Sequence, residues 1–517
     1  MRIMFIINNL GINEPFGPML LSAALKAKGH VTTLAVLQEE DVFGKIQHWK
    51  PDLLAYSMMS VDIRDMKKFN INLRRKTKIF TLLGGPHATF ARNDIKELGV
   101  DALCLGEGEE VILEIVERLE RARGLEGIPN VITSKDAPLA LRNLIDDFDK
   151  HPFMDRELVY AYPQMRRFGI KGIWTSRGCL FSCPYCFNSQ YNELFKGKGR
   201  IVRRRSVDAV IRETQQLASC YRTEFIRIQD DVFVYRADEW FREFSRRWPQ
   251  EVGLPFYCLL RPELVTEELV FYLKKAGCFS VCMSIEAADD DIRMRMLQRM
   301  VSKEKMEEAF RIFKGYNINV YANTMLAFPF TGIEHDIASV DFAIKVSPQM
   351  PNFSIFMPYP GTKLGAYCQE QGIYDGAKDE ITYGMRNMSP LACFTKAEKE
   401  AQYNLCELAI VAVKFPRLRN LIVKHLIYWK PNVIFFLIHY FFAVASYGRK
   451  IFYFRHSLIE YLDLLVRTFR HYRYDYTRKI EVNKISKQQL VVNRNTSYFS
   501  QQEKARQLQK CMEVLSV

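Results

Sequence analysis

Cys179, Cys183 and Cys186 stand in the run Thr-Ser-Arg-Gly-Cys-Leu-Phe-Ser-Cys-Pro-Tyr-Cys-Phe-Asn, a CxxxCxxC spacing that gathers three thiols in one short loop. Thiolates are soft donors suited to iron–sulfur clusters or zinc. Three of them can hold three irons of a [4Fe-4S] cube and leave the fourth iron open to an exchangeable ligand. A structural zinc loop would need a fourth ligand, and a chance group of core cysteines would need no metal. The other nine cysteines are scattered, with no second CxxxCxxC or CxxC group and no dense disulfide framework. That pattern expects a reducing compartment, with most of the remaining thiols in the core.

The elements that must position this loop come in two α/β blocks. Over residues 1–125, apolar strand-like runs (Arg2–Ile7, Val31–Leu37, Leu53–Met58, Ile79–Leu83, Ala102–Leu105) alternate with helical segments such as Pro18–Lys28, Asp62–Arg75 and Glu109–Arg121. Such alternation predicts a parallel sheet whose ligands lie beyond the strands' C-terminal ends. Small residues fall where that crevice should be: Gly84-Gly85-Pro86-His87-Ala88-Thr89 and Gly106-Glu107-Gly108-Glu109. Neither is a GxGxxG fingerprint or a P-loop. Residues 126–165, with Pro129, Pro138, Pro152 and Pro163, read as a connecting segment. From 166 to 375, apolar runs at 224–228, 254–259, 279–285, 320–328 and 353–357 alternate with helices, predicting a parallel barrel or partial barrel. Residues 376–517 read as mostly helical.

The cysteine segment resembles the signature of radical S-adenosylmethionine (SAM) enzymes. That resemblance implies that the open iron chelates SAM and that an electron cleaves it to a 5′-deoxyadenosyl radical. Further motifs carry the likeness: Arg203-Arg204-Arg205-Ser206, Gln229-Asp230-Asp231-Val232-Phe233, Cys282-Met283-Ser284-Ile285-Glu286-Ala287-Ala288, Arg261 after its strand, and Met357-Pro358-Tyr359-Pro360-Gly361-Thr362. The Gly17-Pro18 helix start, the Tyr56–Ser60 loop and both glycine segments resemble the cobalamin-binding domain of cobalamin-dependent radical SAM proteins. No DxHxxG motif occurs, so the resemblance implies cobalamin without a lower histidine ligand. His87 is a candidate cobalt ligand, a pocket-wall hydrogen bonder or a structural turn residue. The implied fold is α/β, with a Rossmann-like cobalamin-binding domain, a partial (β/α)6 barrel and a helical C-terminal extension. The implied cofactors are a [4Fe-4S] cluster on Cys179, Cys183 and Cys186, SAM and cobalamin. Candidate cofactor-binding residues are Ser57, Met58, Gly84, Gly85, Pro86, His87, Gly106, Glu107, Gly108, Tyr185, Gln229, Asp230, Arg261, Ser284 and Glu286. Asp230 and Asp231 have an alternative as helix caps, Glu286 as a strand-end carboxylate, and Arg261 as a barrel-rim salt bridge.

The formal charge of +14 is unevenly placed, with 13 Lys or Arg against three acids over residues 411–480. The same region holds NVIFFLIHYFFAVASY, Asn432 to Tyr447. This run falls short of the ~20 residues that span a bilayer. It predicts either a buried helix of a C-terminal bundle or a face resting on anionic lipid. A nucleic-acid surface would not need such apolar runs, and none is expected. The N-terminus opens on an apolar strand without signal-peptide features, so a cytoplasmic enzyme is expected, with contact to the membrane's inner face. The resemblance implies a class B methyltransferase acting on an unactivated carbon of a small, lipid-like molecule, served by an electron donor such as flavodoxin or ferredoxin. The alternative is a radical SAM cyclase, oxidase or rearrangement enzyme, with a non-enzymatic cofactor-binding regulator as the third class.

Overall fold

The computed structural model describes residues 1–11, 13–376, 386–453, 466 and 499–515. The chain divides into two compact units, residues 1–168 with 190–222 and residues 169–189 with 223–517. Much of the 376–517 stretch expected to be helical, including the basic run beyond 453, lies outside the described residues.

The first unit is built on strands β1 (Arg2–Ile7), β2 (Val31–Val36), β3 (Leu53–Ser57), β4 (Phe80–Gly84), β5 (Ala102–Cys104) and β6 (Val131–Ile132). Their order is β2-β1-β3-β4-β5-β6, parallel through β5, with β6 antiparallel to β5. The run Ile3-Met4-Phe5-Ile6 is almost wholly buried, as a central strand covered on both faces requires. Helix α1 (Phe16–Lys26) follows β1, and α2 (Glu109–Glu120) follows β5 with Glu109 and Glu110 in its first turn, favourable to the helix dipole. The strand order reverses between β1 and β3, and ligands of doubly wound sheets bind beyond the strand ends at such a switch. Residues 126–165, read as a connector, pack into this unit: the Tyr160 hydroxyl donates to Glu14, and Arg156 Nη2 donates to Glu213 at 3.0 Å.

The second unit contains six parallel strands in sequential order: β7 (Ile170–Ile173), β8 (Phe225–Ile228), β9 (Phe256–Leu260), β10 (Cys278–Met283), β11 (Asn319–Leu326) and β12 (Met350–Ile355). Sequential parallel strands joined by helices form a partial (β/α)6 barrel, as expected. The cysteine loop follows β7 and so belongs to the end where the strands finish.

Helix α3 (Lys396–Lys414) packs on β12, and α4 (Val433–Ser446) packs on α3. The α4 face carrying Phe435, His439, Ala443 and Ser446 is buried, whereas Val433, Ile434, Leu437 and Phe441 are exposed. The run is therefore a buried bundle helix, as one sequence reading expects, and its other face is apolar and exposed. The chain then closes the opposite end of the barrel from the cysteine loop. The Phe452 ring packs edge-on to Phe225 and against Tyr257, Tyr447 packs on Tyr321, and Ser280 Oγ donates to the Ile451 carbonyl at 2.6 Å. All four barrel residues lie where their strands begin. Helix α5 (Gln501–Leu515) packs beside the π-helical turn Ile292–Met296. Among the described residues no helix is long and apolar enough to cross a membrane.

Candidate functional site

The cysteine loop is fixed at its base before any cofactor is considered. Asp230, just past β8, accepts from the Thr175 N–H at 2.7 Å, from the Ser176 hydroxyl at 2.8 Å and from the Thr175 hydroxyl. Burial lifts the Asp230 carboxyl to about 6, against the pull of these donors. Asp230 thus anchors the loop, a role absent from its sequence reading as a cofactor contact or helix cap. On the other side the Leu364 N–H donates to the Pro184 carbonyl at 3.0 Å. That bond comes from the turn of the Pro-Tyr-Pro-Gly-Thr segment, where Thr362 Oγ1 accepts from the Gly365 N–H at 3.1 Å.

Cys179 and Cys183 are buried and Cys186 is half-buried. Burial pushes the Cys186 thiol up to about 12, with further lifts from Cys183 and Cys179, and the Cys179 thiol is raised by burial and in part by Cys183. The three sulfurs are thus near enough to feel one another's charge. Among the described residues no three His, Cys, Asp or Glu side chains converge to hold a single metal ion. A cube asks something different, since each thiolate meets its own iron. Three soft donors on one anchored loop, beside a guanidinium, fit that group.

The guanidinium is that of Arg261. Its Nη1 lies 3.1 Å from Cys183 Sγ, its Nε donates to Glu263 at 2.6 Å, and its plane covers the Phe181 ring at 3.6 Å. A second buried pair continues from there. Arg299 Nη1 donates to Glu286 Oε1 at 2.8 Å, the Tyr185 hydroxyl donates to the same oxygen at 3.0 Å, and Arg299 lies 3.9 Å from Glu263. Burial raises the Tyr185 hydroxyl well above its ordinary range, and the Glu286 charge adds to the effect. Glu286 adopts φ +61°, a left-handed conformation that costs a non-glycine residue of order 1–3 kcal/mol and concentrates at functional sites. Ser284 joins this group, its carbonyl accepting from Arg299 Nη2 at 3.4 Å. The Gln229 side-chain nitrogen is buried without a hydrogen-bond partner, so this donor is open to a ligand. Tyr185, Arg261, Ser284 and Glu286 are therefore brought together, with Gln229 at the neighbouring strand end. Sequence reasoning missed Glu263 and Arg299. Glu263 was within reach, two residues past Arg261, but Arg299 arrives through the π-helical turn and carries no local signal.

In the first unit the predicted residues gather at the ends of β3, β4 and β5. The Met58 N–H donates to the Gly84 carbonyl at 3.2 Å, and the His87 N–H donates to the Met58 carbonyl at 3.3 Å. Gly85 has φ +93°, and a Cβ there would lie 2.8 Å from the Met58 carbonyl, so glycine is what lets the two loops approach. Ser57 faces Gly17, whose Cβ would stand 3.8 Å from its hydroxyl. Thr89 ties the two glycine segments, donating to the Gly85 carbonyl at 3.1 Å and accepting from the Gly106 N–H at 3.0 Å. Pro86 opens the short helix Pro86–Phe90, and Gly108 precedes α2. Both Glu107 oxygens accept from Arg203 at 2.8 Å and one also accepts the Ile145 N–H at 2.9 Å. Glu107 therefore secures the loop. His87 is enclosed, with Nδ1 3.1 Å from Ser60 Oγ and Nε2 3.3 Å from Asp94 Oδ2. Nδ1 thus has a hydrogen-bond partner, whereas Nε2 only lies near a carboxylate and makes no hydrogen bond. At the end of β1 the Asn9 amide nitrogen is buried without a partner, an available donor at the switch point. Close-approaching glycine loops and that donor fit a large planar cofactor.

Comparison with known proteins places each half. A family model for the radical SAM superfamily matches residues 174–343, and one for the B12-binding domain matches residues 5–116. An uncharacterized methyltransferase of Pyrococcus horikoshii is 26% identical over 375 residues, covering 68% of this chain and 78% of the relative. The hopanoid C-3 methylase of Methylococcus capsulatus is 26% identical over 368 residues, covering 68% of each. The fold is shared with the radical SAM methyltransferase TsrM of Kitasatospora setae, solved with tryptophan and a SAM analogue. The TM-score is 0.62 at 19% identity, over 72% of this chain and 76% of that one. The barrel and its loop define a radical SAM enzyme. With the B12-binding unit, the chain belongs to the cobalamin-dependent radical SAM enzymes, whose cofactors are a [4Fe-4S] cluster, SAM and cobalamin.

Proposed function

We propose that this enzyme transfers a methyl group to an unactivated carbon of a small, mostly apolar molecule. One observation carries the reading: a B12-binding unit and a radical SAM barrel with an anchored three-thiol loop occur in one chain. When bound, the cluster with SAM supplies hydrogen-atom abstraction and cobalamin supplies a transferable methyl group, chemistry that side chains cannot provide. The chain's residues bind and orient. Cys179, Cys183 and Cys186 hold the cluster, and Gln229, Tyr185, Ser284 and Glu286 line the place for SAM. Ser57, Met58, Gly84 and Gly85 would form the floor for the corrinoid, and His87 would serve as an enclosed wall residue, its Nδ1 held by Ser60. A small redox protein of the flavodoxin or ferredoxin type delivers the electron.

The test is methyl-labelled SAM with candidate apolar substrates under reducing, anaerobic conditions. Labelled product should accumulate together with 5′-deoxyadenosine and S-adenosylhomocysteine. Release of 5′-deoxyadenosine with an unmethylated product would overturn methyl transfer in favour of cyclisation, oxidation or rearrangement.

Peripheral contact with the inner face of an anionic membrane belongs to the same proposal. It is supported by exposed Leu421, Trp429, Ile434, Leu437 and Phe441 in company with exposed Arg417, Lys424 and Lys430. Apolar burial and attraction to anionic headgroups act together on such a face. Flotation on anionic liposomes should be lost when Ile434, Leu437 and Phe441 become Ser. Equal flotation of the variant, or none by the parent, would sink the idea. This face belongs to the helices beside the closed end of the barrel, so it would tether the enzyme rather than feed the cysteine loop directly.

A further inference from the structure

We infer that Arg261 is a positioning residue for the cluster: its guanidinium donates to the Cys183 sulfur and raises the cluster's reduction potential. The inference rests on the proposed cysteine ligands and goes beyond the reading of Arg261 as a cofactor-binding residue or a barrel-rim salt bridge. Three sides of the group are already committed within the protein. Nη1 meets Cys183 Sγ at 3.1 Å, Nε meets Glu263 Oε1 at 2.6 Å, and the face stacks on Phe181 at 3.6 Å. Only 7% of the residue is exposed, so its charge acts through a poorly screening interior. Reduction adds negative charge to a cluster. A cationic donor on a ligand sulfur therefore stabilises the reduced form more than the oxidised one, and hydrogen bonds to cluster sulfurs are a recognised control of potential. Glu263 holds the guanidinium in place and offsets part of its charge. The two residues therefore predict shifts of opposite sign, which general damage to the site would not produce.

The experiment uses the full chain with its cluster assembled anaerobically and no SAM present. The cluster's midpoint is read by paramagnetic resonance during a redox titration, and SAM binding by equilibrium dialysis. Arg261→Met should lower the midpoint and Glu263→Gln should raise it, with a full complement of iron and SAM affinity retained in both. Midpoints that do not move, or that move in the same direction, would overturn the inference. So would loss of SAM binding in Arg261→Met at an unchanged midpoint, which would make Arg261 a SAM ligand. Where Arg261→Met does not assemble a cluster, Glu263→Gln decides alone: a rise supports the role, and a fall or no change removes it. Failure of the unaltered chain to assemble a cluster would instead strike the cysteine assignment itself.

Discussion

Two of the groups of buried or half-buried thiols in the second unit differ in what surrounds them. Cys179, Cys183 and Cys186 lie on one loop tied down by Asp230 and by the Pro184 carbonyl, with Arg261 on a sulfur and Asp231 adding its charge. Cys368, Cys393 and Cys511 come from three places: the helix Lys363–Glu370, the turn before α3, and α5. They too feel one another's charge, and burial pushes Cys393 up to about 11 and Cys511 up to about 12. Yet the cations beside this group, Lys504 and Lys399, act on Cys393 through their charge. Proximity and burial alone do not make a metal site. The first group adds a short anchored loop, a cation on a sulfur and an adjoining network of paired charges. The second group is core packing between helices.

Iron content gives the largest contrast. Changing Cys179, Cys183 and Cys186 together to Ala should abolish iron and sulfide incorporation and the reduced cluster's paramagnetic signal. Changing Cys368, Cys393 and Cys511 together to Ala should leave both intact. Iron retained by the first variant, or lost from a folded second variant, would break the comparison.

The paired charges beside the first group give the next effect. Arg299 is buried against Glu286 and Glu263, and its charged form is favoured by Tyr185 and by these two carboxylates despite the cost of burial. Arg299→Met would leave the Glu286 carboxylate buried without its cation. Breaking one side of such a pair costs about 3–5 kcal/mol. Denaturant unfolding should show a loss of that order, whereas the double change Arg299→Met with Glu286→Gln should recover part of it. A single variant as stable as the parent would mean that Glu286 has a second cation or easy access to water.

These contrasts explain which parts could be read from the chain. The strands of both sheets announced themselves as short apolar runs between amphipathic segments, because central parallel strands are buried on both faces. The CxxxCxxC loop was legible because its three thiols are close in sequence. Glu286 and Arg261 were found at strand ends, but their partners Arg299 and Glu263 were not, since pairing across a π-helical turn leaves no periodic trace. Asp230 and Glu107 were expected to face cofactors. Both hold loops, Asp230 accepting from three donors and Glu107 from two, because buried donors are satisfied by the nearest carboxylate. The plug of Tyr447 to Phe452 against the strand starts was invisible for the same reason. A run of aromatics after an apolar helix reads alike whether it faces lipid, a bundle or the base of a barrel.

The smallest expected effect tests whether the second thiol group is only packing. Cys511 lies in α5 and is fully buried. Cys511→Ala removes one sulfur from a packed contact, a deletion of roughly methylene size that costs about 1 kcal/mol. The loss should appear as a modest drop in unfolding free energy, with cluster iron, midpoint and paramagnetic signal matching the parent. Its raised thiol should also resist iodoacetamide in the folded chain while exposed Cys220 reacts, because the thiolate is the reactive form and burial disfavours it. Two outcomes would place these thiols among the working groups: a stability loss well beyond this range accompanied by lost iron, or rapid native-state alkylation of Cys511. Either would erase the distinction between an anchored ligand loop and cysteines that share a core.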